Sequence, residues 1–441
     1  MNWSLRAAFL IVVGFGTGPA ISQPTATLDD SGRLAAVESI ASLVADEFFD
    51  ADRADAIAEA LRTEVQAGAF DSAASPTELA SALTMRLSAE DHHFSVNYVG
   101  GDAMVEGMRP PPAGPGGDRR DPLLGMQRAN FGFAEVSILP GNIGYIDMRA
   151  FAPAEPAQQT ATAVLNFVVH TDAVIFDMRR NHGGSPSMVS FLISHFLPSE
   201  PETVINTFVS RDFDTPQELR SLSDHPAGHR PETPVVVLTS GNTGSAGEAF
   251  PYHLQAMQRA TIIGETTAGA GNPGGLFLTD EGYSVFVSTS SARNPITGTN
   301  WEGVGVTPDI AVPADDALYT ALLQLYGQLA EASTDADRVA TLDWAHDALR
   351  ATREPVALSP DQLARYAGTY GNRIIAIDGD HLTYSREGGS PQALLAMGQD
   401  RFALPGESDY QFRFTMDDDG PASELVIEIT DGPTLSNSRT R

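Results

Sequence analysis

One stretch constrains the fold more than any other: PVVVLTSGNTGSAGEAFPYHLQAMQRATIIGETTAGAGNPGG, residues 234–275. Val235-Val236-Val237-Leu238 is a short apolar run of the kind a strand covered on both faces needs, and Gly241-Asn242-Thr243-Gly244 supplies turn chemistry after it. From Ala246 to Met257 the residues are good helix formers, with Phe250, Leu254 and Met257 spaced to share a face. Ala260-Thr-Ile-Ile263 returns as a second buried strand, so the stretch predicts a βαβ unit with a right-handed crossover. Ser245 stands at the mouth of the helix, beside backbone N–H groups without intrahelical partners and at the positive end of the dipole. Two readings stay open from these residues alone. Ser245 is the helix N-cap, completed by Glu248 into a capping box, or it is a nucleophile beside oxyanion donors; the cap is the commoner of the two. The local T-G-S-A-G has Thr243 where the α/β-hydrolase elbow G-x-S-x-G requires its first glycine, so that fold is not indicated.

The N-terminus reads as a secretory signal over residues 1–22: Arg6, an apolar core over residues 7–15, and small residues at Ala20 and Ser22. Cleavage before Gln23 and an exported, periplasmic or secreted protein are expected. The apolar run is too short to cross a hydrocarbon core of about 30 Å, and no later stretch is long and apolar enough to span a membrane. Export invites disulfides, yet the chain has no cysteine, so its stability must rest on its cores. A net charge of −30 excludes nucleic acid or an anionic membrane as the main partner.

Residues 23–98 read as a helical N-terminal cap, with Val37, Ile40, Val44 and Phe48 at helical spacing. The cap runs into Asp91-His92-His93-Phe94 and a short strand. Adjacent histidines on a strand point to opposite faces, which makes a poor metal site, but one of them can face a cleft. Residues 99–127 form a Pro/Gly-rich connector with nothing to bury, and the 44 residues between Tyr98 and Ile143 are too few for an inserted ligand-binding domain. Residues 128–350 read as an α/β core. In it the buried run Ala173-Val-Ile-Phe176 leads to Asp177-Met-Arg-Arg-Asn-His-Gly-Gly184, whose paired glycines form a simple tight turn or let the backbone approach a ligand. The G-x-G-x-x-G at 269–274 leads into an alternating β segment rather than opening a helix, and no Walker sequence is present, so a nucleotide site has no support, and no metal or organic cofactor is implied. After a linker at 351–361, residues 362–441 change to short β segments between turn pairs, which predicts a small antiparallel barrel or sandwich.

Four pieces taken together resemble the tail-specific, or C-terminal processing, serine peptidase family, in the branch that holds the tricorn core protease and interphotoreceptor retinoid-binding protein. They are Asp91-His92-His93-Phe94; Asp177 to Gly184; Thr239 to Glu248 with Gly264-Glu-Thr-Thr-Ala-Gly269; and Trp301-Glu302 to Pro308-Asp309. The resemblance covers residues 34–330. It implies an α/β fold with a crotonase-like (ClpP/crotonase) βαβ core preceded by an N-terminal helical cap; the small C-terminal all-β domain read from residues 362–441 lies beyond it. It implies Ser245 as nucleophile, with the N–H groups of Ala246 and of Gly183 or Gly184 as the oxyanion hole. It further implies His93 as general base, His92 at the branch's relay position, and Glu302 as the acid that orients the relay. The common bacterial type uses a lysine where Ala270 stands, so a lysine dyad is excluded at that site. His182, beside the glycine pair, could also approach the site. No PDZ-type domain is recognisable, which leaves substrate selection to the cap, the connector or the C-terminal module. The expected function is a serine endopeptidase acting on a peptide or protein substrate; a non-catalytic binder of apolar ligands and an esterase-like hydrolase are the alternatives.

Overall fold

A computed structural model describes residues 27–100, 122–198, 201–417, 420–429 and 432–440. The expected signal segment and most of the expected connector lie outside the described residues. The chain forms two compact units: one runs to Ala314 apart from residues 138–144 and 171–173, and the other combines those two short segments with everything from Asp315 onward.

The first unit opens with three helices, α1 (Asp30–Glu47), α2 (Ala51–Gln66) and α3 (Pro76–Leu87). Each has a side-chain N-cap: Asp29 accepts from the Gly32 N–H, Asp50 from Arg53, and Ser75 from Glu78, with Pro76 in the first turn of α3 where its missing N–H costs nothing. Their apolar faces bury Val37, Ile40, Val44, Leu61 and Leu83 in one core. That core also takes Phe94 and Val96, the latter on strand β1 (Ser95–Tyr98). The short helix α4 (Pro122–Arg128) follows, where the connector was expected to have nothing to bury. Met126 packs against the main core, an apolar contact hidden by the Pro/Gly composition upstream.

Strands β2 (Phe133–Leu139) and β3 (Ile143–Met148), helix α5 (Ala154–Phe167), strand β4 (Ala173–Asp177) and helix α6 (Pro186–Ser194) come next. Then follow β5 (Val204–Val209), β6 (Gln217–Arg220), β7 (Val235–Thr239), helix α7 (Ala246–Ala256) and β8 (Thr261–Gly264). The unit closes with β9 (Gly274–Leu278), β10 (Tyr283–Ser288), β11 (Ser291–Arg293) and β12 (Ile310–Ala311). The main sheet has the order β12-β8-β7-β4-β3-β2, and β4, β7, β8 and β12 pair in parallel. Every residue of β3, β4 and β7 is buried, as the continuous apolar runs require of a parallel sheet covered on both faces. The expected βαβ unit is β7-α7-β8. Two small antiparallel sheets, β1-β10-β9 and β11-β5-β6, complete the unit, and the first carries Tyr283, Val285 and Val287 into the core of the three N-terminal helices.

In the second unit α8 (Ala317–Ala332) and α9 (Ala336–Arg353) precede α10 (Pro360–Tyr366) and eight strands, from β13 (Gly368–Tyr370) to β20 (Leu435–Ser438). The strands pair antiparallel in chain order, and a bridge between Tyr370 and Arg439 with a Thr440 N–H to Thr369 carbonyl bond of 2.8 Å brings the last strand back to the first. A barrel-like sheet results, filled by Tyr370, Phe402, Phe412 and Phe414. Helices α8 and α9 group with this barrel rather than with the α/β core to which residues 128–350 were expected to belong. The reason is local: Asp347 of α9 accepts from Arg401 at 2.6 Å, and the Arg401 guanidinium lies over the Trp344 ring. The expected linker at 351–361 is shorter than drawn, since α9 continues to Arg353 and α10 begins at Pro360.

Phe176, on β4, is fully buried and packs edge-on against Phe196 and Phe250 with ring centroids 5.7 and 4.9 Å away. Phe176→Ala is expected to cost about 3–5 kcal/mol, read as a fall in the urea midpoint of the first unit's transition.

Candidate active site

Strand β7 delivers the chain to a turn that ends at Ser245, immediately before α7. Ser245 has φ 54° and ψ −122°, a backbone conformation that costs a residue with a side chain about 1–3 kcal/mol. The structure pins it through Glu248, which is fully buried. One Glu248 oxygen accepts from the Ser245 N–H at 2.7 Å and the Ala270 N–H at 3.0 Å; the other accepts from the Thr267 hydroxyl at 2.5 Å and the Gly269 N–H at 2.7 Å. The Glu248 N–H meanwhile bonds the Ser245 carbonyl at 2.9 Å. The capping interaction is thus carried chiefly by the glutamate carboxylate. Burial pushes that carboxyl above its ordinary value, and the four donors pull it back.

The glycine pair at the C-terminal end of β4 lies against this elbow. A Cβ at Gly183 (φ 104°) would stand 2.7 Å from the Ser245 Cβ, and one at Gly184 (φ 138°) would stand 2.1 Å from the Phe151 carbonyl oxygen. Only glycine fits at either place. Asn181 fixes the turn: its side-chain amide donates to the Met148 carbonyl at 2.8 Å, its Oδ1 accepts from the Gly183 N–H at 2.9 Å, and its backbone carbonyl accepts from the Gly244 N–H at 3.0 Å. Of the two expected glycine donors, Gly183 is therefore already engaged. Among the described residues neither the Gly184 nor the Ala246 N–H has an acceptor, the second because it opens the helix.

His93 lies between α3 and β1, its ring stacked on Phe286 at 5.4 Å. Its Nδ1 is buried and stands 3.9 Å from Glu302 Oε2, beyond hydrogen-bond length. Glu302 is oriented by backbone: Oε1 accepts from the His92 N–H at 2.7 Å, and Oε2 from the Gly271 and Asn272 N–H groups at 2.6 and 3.1 Å. Buried Asp91 completes the group, accepting from the His93 N–H and from Asn272 Nδ2, both at 2.9 Å. Burial holds the His93 imidazole below its ordinary value; Asp91 raises it and His92 lowers it further. Burial, and then the charge of Asp91, pushes the Glu302 carboxyl up. Asp91, His93 and Glu302 bring possible ligand atoms within 4.8 Å of one another, so a metal ion could be held there, but the carboxylate oxygens already accept N–H groups.

Ser245, Ala246, Gly184, His93 and His182 line one cavity of about 300 Å³. Glu302 reaches it through His93 rather than directly. His92 is exposed and donates its backbone N–H to Glu302. Three residues without an expected role, Asp91, Asn181 and Asn272, hold the expected ones in position. Asn181 beside a glycine pair is the one with a sequence signal, since short amides commonly fix tight turns.

An α/β core with a strained serine at a helix start, sharing a cavity with a histidine held near carboxylates, is the architecture of a serine hydrolase. Residues 142–312 match the family model of Peptidase family S41. The matched stretch runs from β3 to β12 and takes in the glycine pair and Ser245. A carboxy-terminal-processing protease of Bartonella bacilliformis is 28% identical over 179 residues, 39% of each chain. A carboxyl-terminal-processing protease of Synechocystis sp. is 30% identical over 205 residues, 43% of this chain and 46% of the relative. The chain thus spans less than half the length of these curated relatives. Among solved structures, the photosystem II D1 C-terminal processing protease gives a TM-score of 0.41 at 14% identity, covering 65% of this chain and 94% of its own. The tricorn protease gives 0.39 at 14% identity, covering 66% and 35%.

Replacing Glu248 by glutamine turns an NH₂ group toward donors that need an acceptor. Glu248→Gln is expected to lower stability by about 1.5–3 kcal/mol, measured as a shift in the urea midpoint.

Proposed function

We propose that the protein is an exported serine endopeptidase. The observation that carries this reading is the strained Ser245, which shares its cavity with His93 and with the unpartnered N–H groups of Ala246 and Gly184. The S41 domain and the processing proteases among its relatives support it. Ser245 attacks a peptide carbonyl, and His93 removes the hydroxyl proton and returns it to the leaving amine. The Ala246 and Gly184 N–H groups take the developing oxyanion, from two different loops. Gly183 serves by its lack of a side chain against Ser245, its N–H held by Asn181. Glu302, 3.9 Å from His93 Nδ1, stabilises the imidazolium by its charge rather than through a hydrogen bond, while Asp91 and Asn272 hold the histidine turn. An acyl-enzyme forms and water hydrolyses it. Export rests on the signal pattern of residues 1–22, and no helix among the described residues is long and apolar enough to cross a membrane.

A fluorophosphonate probe is expected to label Ser245 in the full chain, and Ser245→Ala to abolish labelling. His93→Ala is expected to slow it about 10²–10⁴-fold. Folded protein that stays unlabelled across about pH 6 to 9 would point instead to a binding protein. The pH profile gives an independent check. His93 accepts a proton only when neutral, and its value is held below 6.5. Labelling should therefore persist as pH falls below 6.5 and disappear only as pH drops through the lowered value. An acid limb centred above 6.5 would rule out His93 as the base in this setting.

A further inference from the structure

The cavity that holds Ser245 is walled mainly by apolar side chains, among them Val189, Phe208, Leu219, Phe286 and Trp301. Two buried polar side chains interrupt that wall, and the catalytic reading uses neither. The first is His253, just over two turns along α7 from Ser245 and about 12 Å further along its axis. It is 1% exposed. Its Nδ1 lies 2.9 Å from Asn294 Nδ2. Asn294 has its Oδ1 committed to the Ile296 and Thr297 N–H groups at 2.8 and 3.1 Å, so its NH₂ end is the one that faces the ring. His253 Nδ1 must then accept, which leaves the proton on Nε2. That Nε2 is buried and has no partner. Burial pushes the imidazole down to about 3, so the ring stays neutral over the working range.

The second is Asn206 on β5, 2% exposed, whose Oδ1 is likewise buried and unpartnered. Both residues line the cavity, and each carries one buried orphan atom, a donor on His253 and an acceptor on Asn206. Each is costly to leave unpaired, and a bound group that satisfies both recovers that cost. Among the described residues no aspartate, glutamate, lysine or arginine lines the cavity, so a charged side chain would enter without a counter-charge from them.

Resting on the serine-peptidase reading, we propose that this cavity selects glutamine on the acyl side of the scissile bond. The glutamine methylenes lie along the apolar wall, its carbonyl oxygen accepts from His253 Nε2–H, and its amide N–H donates to Asn206 Oδ1. His253 and Asn206 are then the specificity-determining residues. Methionine has similar length but leaves both groups unpaired. Glutamate brings a charge and sets an acceptor against the Asn206 oxygen.

The test uses three matched peptidyl diphenyl phosphonates that differ only in carrying a glutamine, methionine or glutamate side chain next to the phosphorus, each reacting with the full-length wild-type chain. The expected result is inactivation at Ser245 about 10- to 100-fold faster by the glutamine compound than by either other. His253→Leu and Asn206→Leu should each bring the glutamine and methionine rates to within a few-fold. Because the wild-type ranking needs no variant, a substitution that fails to fold does not weaken the test. If the small fluorophosphonate labels Ser245 but the glutamine compound has no advantage, the selectivity is overturned and the peptidase reading stands. Failure of the small probe as well overturns both.

Discussion

The Glu248 carboxylate is the point on which this site depends. Its four donors come from three places: the N–H of the strained serine, a threonine hydroxyl, and two successive backbone groups of the loop after β8. A single buried acid thus ties the start of α7 to that loop. Its neighbouring segment continues the connection, for the Ala270 carbonyl accepts from the Trp301 indole at 2.9 Å, and the Gly271 N–H holds Glu302. The strain at Ser245 is tolerated because these bonds over-determine its backbone. An alanine at 248 would release the elbow and loosen the glutamate near the histidine together.

Much of the architecture was legible in the residues. The apolar run at 235–238 and the helical face marked by Phe250 and Leu254 lie in the β7-α7-β8 unit, and the N-terminal helices and the β-rich C-terminal segment follow their patterns equally directly. Pattern reports which face is buried. It does not report which side chain meets which, and that is where expectation and structure part. Asn272 reaches Asp91 across 181 residues of chain, a pairing that no local spacing encodes. The Gly183 N–H was open to an oxyanion role on paper, and only the folded turn shows Asn181 occupying it. The His92 N–H meets Glu302 across 210 residues of chain, a contact that a reading of side chains alone does not anticipate. The short helix α4 was missed for a different reason: a Pro/Gly-rich composition upstream masked one apolar contact at Met126.

Ser245 and His93 belong to different cores. Ala246, beside Ser245, packs into the core around β4 and β7, whereas His93 is flanked by Phe94, which packs with the N-terminal helices and β10. Proteins open locally, in cooperative pieces whose free energies differ. The turn that carries His93 is tied across to the α/β core through Glu302 and Asp91, which meet residues 271 and 272 of the loop that also holds the Ser245 elbow. The Ser245–His93 pair therefore stands complete only while two separate cores hold, and the helical layer that carries His93 is one of them.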